Sequence, residues 1–149
     1  MKTIDVLRKI LSDANRSGVY CLAGKVDEVE RAAKAAGLSI FKLDVGRARG
    51  KSALLRLLAR TLKFPKYFGR NWDALHDCLT DLSWLDASGW LVVITNSRSF
   101  AERHKEDFAT AIEVLASAAE YWSGHGKPFW VLVKGDKNWD PGLPKLPKI

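Results

Sequence analysis

The chain has 149 residues, 47% hydrophobic and 28% charged, enough for one compact domain whose core needs no disulfide staples. Its two cysteines, Cys21 and Cys78, stand far apart in apolar surroundings and read as buried free thiols of a reducing compartment. The formal charge of +7 would ordinarily point to an acidic partner, and no apolar run reaches the length of a membrane-spanning helix. Met1-Lys2-Thr3-Ile4-Asp5 lacks the apolar stretch and cleavage site of a secretory signal, so the expected location is the cytoplasm.

Residues 3–15 place Ile4, Leu7, Ile10 and Leu11 on one stripe, which predicts an amphipathic helix ended by Asn15-Arg16-Ser17-Gly18. Val19 to Ala23 is a short apolar run before Gly24 and reads as a buried strand. Residues 26–36, rich in Ala, Glu, Lys and Arg, predict a helix closed by Gly37. Leu38 to Val45 is rich in β-formers and predicts a strand. Lys51 to Lys63 repeats Leu54, Leu55, Leu57, Leu58 and Leu62 between arginines, a second amphipathic helix stopped by Phe64-Pro65. Asn71 is placed to cap the next helix, on which Trp72, Leu75, Leu79 and Leu82 recur at helical spacing. Trp90 to Ile94 is continuously apolar, as in a strand covered on both faces. A polar stretch then leads into a helix over 103–122 with Phe108, Ile112, Leu115 and Ala119 inward, closed by Gly124 and Gly126. Pro128 to Val133 is a last buried strand. Residues 135–149, with Pro141, Pro144 and Pro147, read as a flexible tail. The alternation predicts an α/β fold: a small, mainly parallel sheet of three or four strands flanked by helices.

Charge is spread unevenly: residues 1–63 net +8, residues 64–89 net −2 and residues 90–149 net +1. The segment from Phe64 is thus an acidic island, suited to a basic partner. Asp73 and Asp77 lie four residues apart and share a helix face. Like charges at that spacing weaken a helix by about 0.2–0.5 kcal/mol, so the pair points to a use other than stability. Asp73, in the first turn, also meets the helix dipole favourably; Asp77 is a turn deeper and gains little. No nucleophile, base or opposing carboxylate converges on them, which favours binding over catalysis. Tyr67, Phe68, Trp72 and Trp84 bring rings beside the acids, a combination found at protein-binding hot spots.

Other motifs carry less. Gly46-Arg47-Ala48-Arg49-Gly50-Lys51-Ser52 lies between a strand and a helix, as a phosphate loop does. It has three residues between its glycines where that motif needs four, and Leu91 to Thr95 lacks the acid that would hold magnesium. His76, His104 and His125 have no ligand spacing with each other or with the cysteines. No catalytic residue, metal or cofactor is assigned. Arg47, Arg49, Lys51, Arg56, Arg60 and Lys63 leave a second reading open, a nucleic-acid-binding module over 47–63; a solvated helix face is the simpler account.

Residues 64–80 carry a denser signal. Pro65, Tyr67, Phe68, Gly69, Asn71, Trp72, then Asp73-Ala74-Leu75, and Asp77-Cys78-Leu79-Thr80 resemble the signature of barstar-like ribonuclease inhibitors. The resemblance covers 38–134, with 1–37 as an N-terminal helix-strand-helix elaboration on the same domain. It implies a barstar-like sheet without catalysis, and a helix and preceding loop that plug a barnase-like secreted ribonuclease. By the same resemblance, Asp77 is the principal carboxylate, entering the site of the RNA phosphate. Asp73 pairs with a further basic group, and Tyr67, Gly69, Asn71, Trp72, His76 and Thr80 frame the contact. The implied protein is a cytoplasmic immunity protein of a toxin–antitoxin pair, a monomer when free, with neither nucleic acid nor membrane expected as partner. His76 stands where the family often has tryptophan, and Lys105 falls near the place of a further family acid.

Overall fold

The computed structural model describes residues 3–66, 69–136 and 138–146. Its four strands, β1 (Val19–Cys21), β2 (Ser39–Asp44), β3 (Trp90–Thr95) and β4 (Phe129–Val133), form one all-parallel sheet in the order β1-β4-β3-β2. Among the described residues six α-helices surround it: α1 (Thr3–Leu11), α2 (Val26–Ala35), α3 (Lys51–Thr61), α4 (Trp72–Leu79), α5 (Ser97–Arg103) and α6 (Lys105–Ser123). This is the α/β architecture with a parallel sheet that the alternating pattern predicts.

The two central strands explain the layering. In β3 and β4 every residue but Thr95 is buried, as the unbroken apolar runs require. Alternate side chains go to opposite faces. Trp90, Val92, Ile94, Phe129, Val131 and Val133 join the core under α3, α4, α5 and α6. Leu91, Val93, Trp130 and Leu132 join Leu7, Leu11, Val29 and Ala32 from α1 and α2. The chain crosses the sheet once in each direction. From β1 to β2 it passes through α2 on one face. It returns from β2 to β3 to β4 through helices on the other, as a fixed crossover hand demands when direction reverses. Gly89 serves the close approach beneath β3: a Cβ there would sit 2.8 Å from the Pro128 carbonyl oxygen and 2.7 Å from Leu38 Cδ2.

Helix ends follow local chemistry. Gly37 takes φ 80° after α2, with Leu38 N–H donating to Ala33 O and Gly37 N–H to Lys34 O, a Schellman closure. Lys63 takes the same role after α3 at φ 56°, without glycine's freedom. The N-terminal helix stops with its apolar stripe at Leu11, before the end expected at residue 15; a 3₁₀ turn at Ala14–Arg16 follows, with Asp13 accepting the Asn15 amide at 3.0 Å.

Two expectations need correction. The helix expected over 103–122 is present as α6, but the polar stretch expected before it is itself a helix, α5, parted from α6 at His104, whose φ −130° and ψ 61° break the ladder. No glycine or proline marks that break. The segment expected as a flexible tail is docked over its described length. Cys21 N–H donates to Pro144 O at 2.7 Å, Leu146 N–H donates to Cys21 O at 3.0 Å, and Leu146 is buried against α1 and α2. Trp139 lies on Gly135, where any side chain would collide with the indole. Pro141 and Pro144 lie in a strap whose apolar Leu143, Leu146 and Trp139 face the protein, and Pro147 lies outside the described residues.

Candidate functional site

The site is built on α4. Asn71 accepts the Ala74 amide through Oδ1 at 2.7 Å and so caps the helix, as its position predicts. Arg70 before it sits at φ 55°, a left-handed turn that swings the chain into the helix. Leu75, Cys78 and Leu79 are buried under the helix, while Asp73 and Asp77 are exposed on its outer side, with Asp81 exposed just beyond its end. Among the described residues no cation forms an ion pair with any of these three acids; the ion pairs present use Asp27, Glu30, Glu102 and Asp136.

The helix is fixed along its length. At its start Trp72 is half-buried against the core, with Lys51 Nζ 5.7 Å from its ring centroid. In the middle, His76 Nε2 and Ser117 Oγ of α6 are hydrogen-bonded at 3.0 Å. At its end, Thr80 Oγ1 donates to His76 O at 2.9 Å, and Trp122 Nε1 donates to Leu79 O at 2.7 Å. The indole satisfies a carbonyl that a helix C-terminus otherwise leaves open, while His76 O also accepts the Thr80 amide at 3.0 Å. Burial, and then the charges of Asp77 and Asp81, raise the Cys78 thiol above its ordinary pKa. That thiol therefore stays protonated at neutral pH and is a poor nucleophile.

Of the residues singled out from sequence, Asn71, Trp72, Asp73, His76, Asp77 and Thr80 lie on or at the ends of this one helix, and Gly69 is exposed just before it. Thr80 turns its hydroxyl back into the helix rather than outward. Tyr67 and Phe68 lie outside the described residues. Two participants escaped the sequence reading. Ser117 comes from 41 residues away, and Lys51 from the preceding helix. A hint of Ser117 lay in α6, where buried Ala118 and Ala119 leave residue 117 outward, with exposed Glu113 and Tyr121 a turn to either side. No described helix is long and apolar enough to cross a membrane, and no three metal-capable side chains cluster among the described residues.

The arrangement can present two carboxylates, one turn apart and unneutralised, on a helix that cannot easily shift. The Gly46–Ser52 segment leads into α3 through Gly50 at φ 86°, without a side-chain cap.

Comparison with known proteins bears on this helix directly. The family model described as Barstar (barnase inhibitor) matches residues 38–134, which span β2 to β4 and include α4. No curated protein matches the sequence. Among solved structures, the chain is similar to the ORC2 protein of Aeropyrum pernix in its ADP form, at 18% identity, a TM-score of 0.64 and 91% of this chain. It is also similar to that protein's ADPNP-ADP complexes, at 20% identity, a TM-score of 0.60 and 89% of this chain. The chain spans 40% of the length of those chains, and at such identity the likeness is one of fold.

Proposed function

We propose a function that starts from an established fact: this chain belongs to the barstar (barnase inhibitor) family. The protein is a non-enzymatic, intracellular inhibitor of a barnase-type ribonuclease, and α4 with the loop before it occludes the enzyme's active site. One observation carries this reading: Asp73 and Asp77 are exposed and, among the described residues, free of ion pairs on a helix held at both ends.

A carboxylate resembles a pair of phosphate oxygens, and arginine grips it through two parallel hydrogen bonds. Asp77 enters the cleft that holds the RNA phosphate, and Asp73 meets a second basic group beside it. Tyr67, Gly69, Asn71, Trp72, His76 and Thr80 frame the contact. The bracing of α4 spares the complex much of the ordering cost of association. The +7 net charge works against long-range attraction to a basic enzyme, an effect screened beyond about 8 Å at physiological salt.

The test is titration of the protein into barnase while RNA cleavage is followed. The wild type should abolish cleavage near equimolar ratio. Asp77→Ala should weaken inhibition at least about 30-fold, since truncating one partner of a desolvated charge pair costs about 2–5 kcal/mol. If the wild type leaves barnase active, or Asp77→Ala inhibits equally well, the reading is wrong.

A further inference from the structure

We infer that α3 and the loop before it form a second binding surface, for the phosphate backbone of single-stranded RNA. Between Val45 and Trp72 the chain carries eight lysines and arginines and no aspartate or glutamate. A net +7 overall and +8 in this segment leave −1 for everything else. All eight cations are exposed, and none forms an ion pair among the described residues, although Lys51 rests over Trp72.

A merely solvated helix would be built differently, as its neighbours are. The first turn of α2 carries Asp27 and Glu28 and its last carries Lys34, with Asp27 paired to Arg31 at 3.3 Å. The first turn of α6 carries Glu106 and Asp107. By contrast α3 has no acid in its first turn and begins on Lys51, where the helix dipole disfavours a cation. Arg56 and Arg60 then repel one another at the four-residue spacing. Ser52, Arg56 and Arg60 are all exposed and follow one stripe of α3, in axial steps of about 6 Å, and exposed Lys63 stands just past the helix end. Flexible side chains at such steps can meet successive phosphates.

The surface selects its partner. A nuclease with a cationic cleft is repelled by it. An acidic protein would need an apolar centre to its interface, and the outward residues of this stripe supply only charge and a hydroxyl. A phosphate backbone needs nothing more. The choice of RNA over DNA rests on the inhibitor reading, since RNA is the polyanion present where a ribonuclease acts.

Fluorescence anisotropy of a labelled uridine 12-mer with the full chain tests this without any nuclease. Binding is expected at 50 mM KCl, weakening about 20- to 50-fold by 200 mM, the dependence for three or four phosphates on a single strand. The double variant Arg56→Gln/Arg60→Gln, both sites exposed, should weaken binding about 10-fold and flatten the logarithmic salt slope by about 1.4. Asp77→Ala should bind RNA as the wild type does, even where it no longer inhibits barnase. No binding at 50 mM KCl overturns the inference, as does binding that ignores salt or survives the double variant intact. Tighter binding of a thymidine 12-mer overturns the choice of RNA. Displacement of RNA by polyglutamate at equal charge overturns it in favour of an acidic protein.

Discussion

At the scale of single residues, Asn71 joins stability to presentation. Its side chain accepts one of the amides that open α4, and the exposed acids follow within two turns. Asn71→Ala should cost about 1 kcal/mol in urea unfolding, whereas Asn71→Asp should keep the cap. A loss well under half of that in the alanine variant would mean that packing beneath the helix, not the cap, fixes its start. This residue was legible because a cap acts across three positions of one segment. The same holds for Asp73 and Asp77, whose outward direction follows from Leu75 and Leu79 pointing in. The partnership of His76 with Ser117 was not legible, since helical spacing says nothing about a contact 41 residues away. Nor was the left-handed turn at Arg70, which lacks the glycine that usually announces one.

At the scale of elements, tryptophan indoles bond carbonyls at the C-terminal ends of three helices. Trp130 Nε1 donates to Leu11 O at the end of α1, Trp84 Nε1 to Leu62 O after α3, and Trp122 Nε1 to Leu79 O at the end of α4. Trp130 is buried in the core and Trp84 and Trp122 pack against it, so each indole buries its ring and donates to a carbonyl at once. Trp122 also packs on Trp90, ring centroids 4.7 Å apart. Trp122→Phe keeps most of the ring volume and removes the donor. It should lower stability by about 1–3 kcal/mol in urea and speed hydrogen exchange of the amides near Thr80. Unchanged exchange there would show that the indole packs without anchoring α4. The strands β3 and β4 and the helices α2 to α4 were readable from periodicity and punctuation. The division of α5 from α6 was not. It arises where His104 leaves helical geometry beside Phe100, their ring centroids 5.0 Å apart, and that packing leaves no local sequence mark.

At the scale of the whole molecule, the parts outside the family match close the sheet. In the order β1-β4-β3-β2, β1 covers the outer edge of β4, and the strap through Lys145 covers β1 in turn. On the face opposite α4, Leu91, Val93, Trp130 and Leu132 are covered by α1 and α2. Removal of residues 1–37 should therefore leave 38–149 aggregated or lacking a cooperative thermal transition, because that apolar face and the edge of β4 would meet water together. A soluble, cooperatively melting 38–149 fragment would show that the matched region folds unaided. The sequence marked the first 37 residues as an added layer, yet it could not say what that layer rests on. The partner of Val19 is Val131, and the strap reads as loose because its prolines and lysines dominate its few apolar residues.

The pairing of β1 with β4 has a consequence for the chain's birth. Synthesis runs from the N-terminus, so α1, β1 and α2 leave the ribosome long before the strand they lean on exists. Throughout that interval Leu7, Ile10 and Leu11 lack the face of β3 and β4 that they cover in the finished fold. The last strand to be made thus decides when the first helices stop being adhesive.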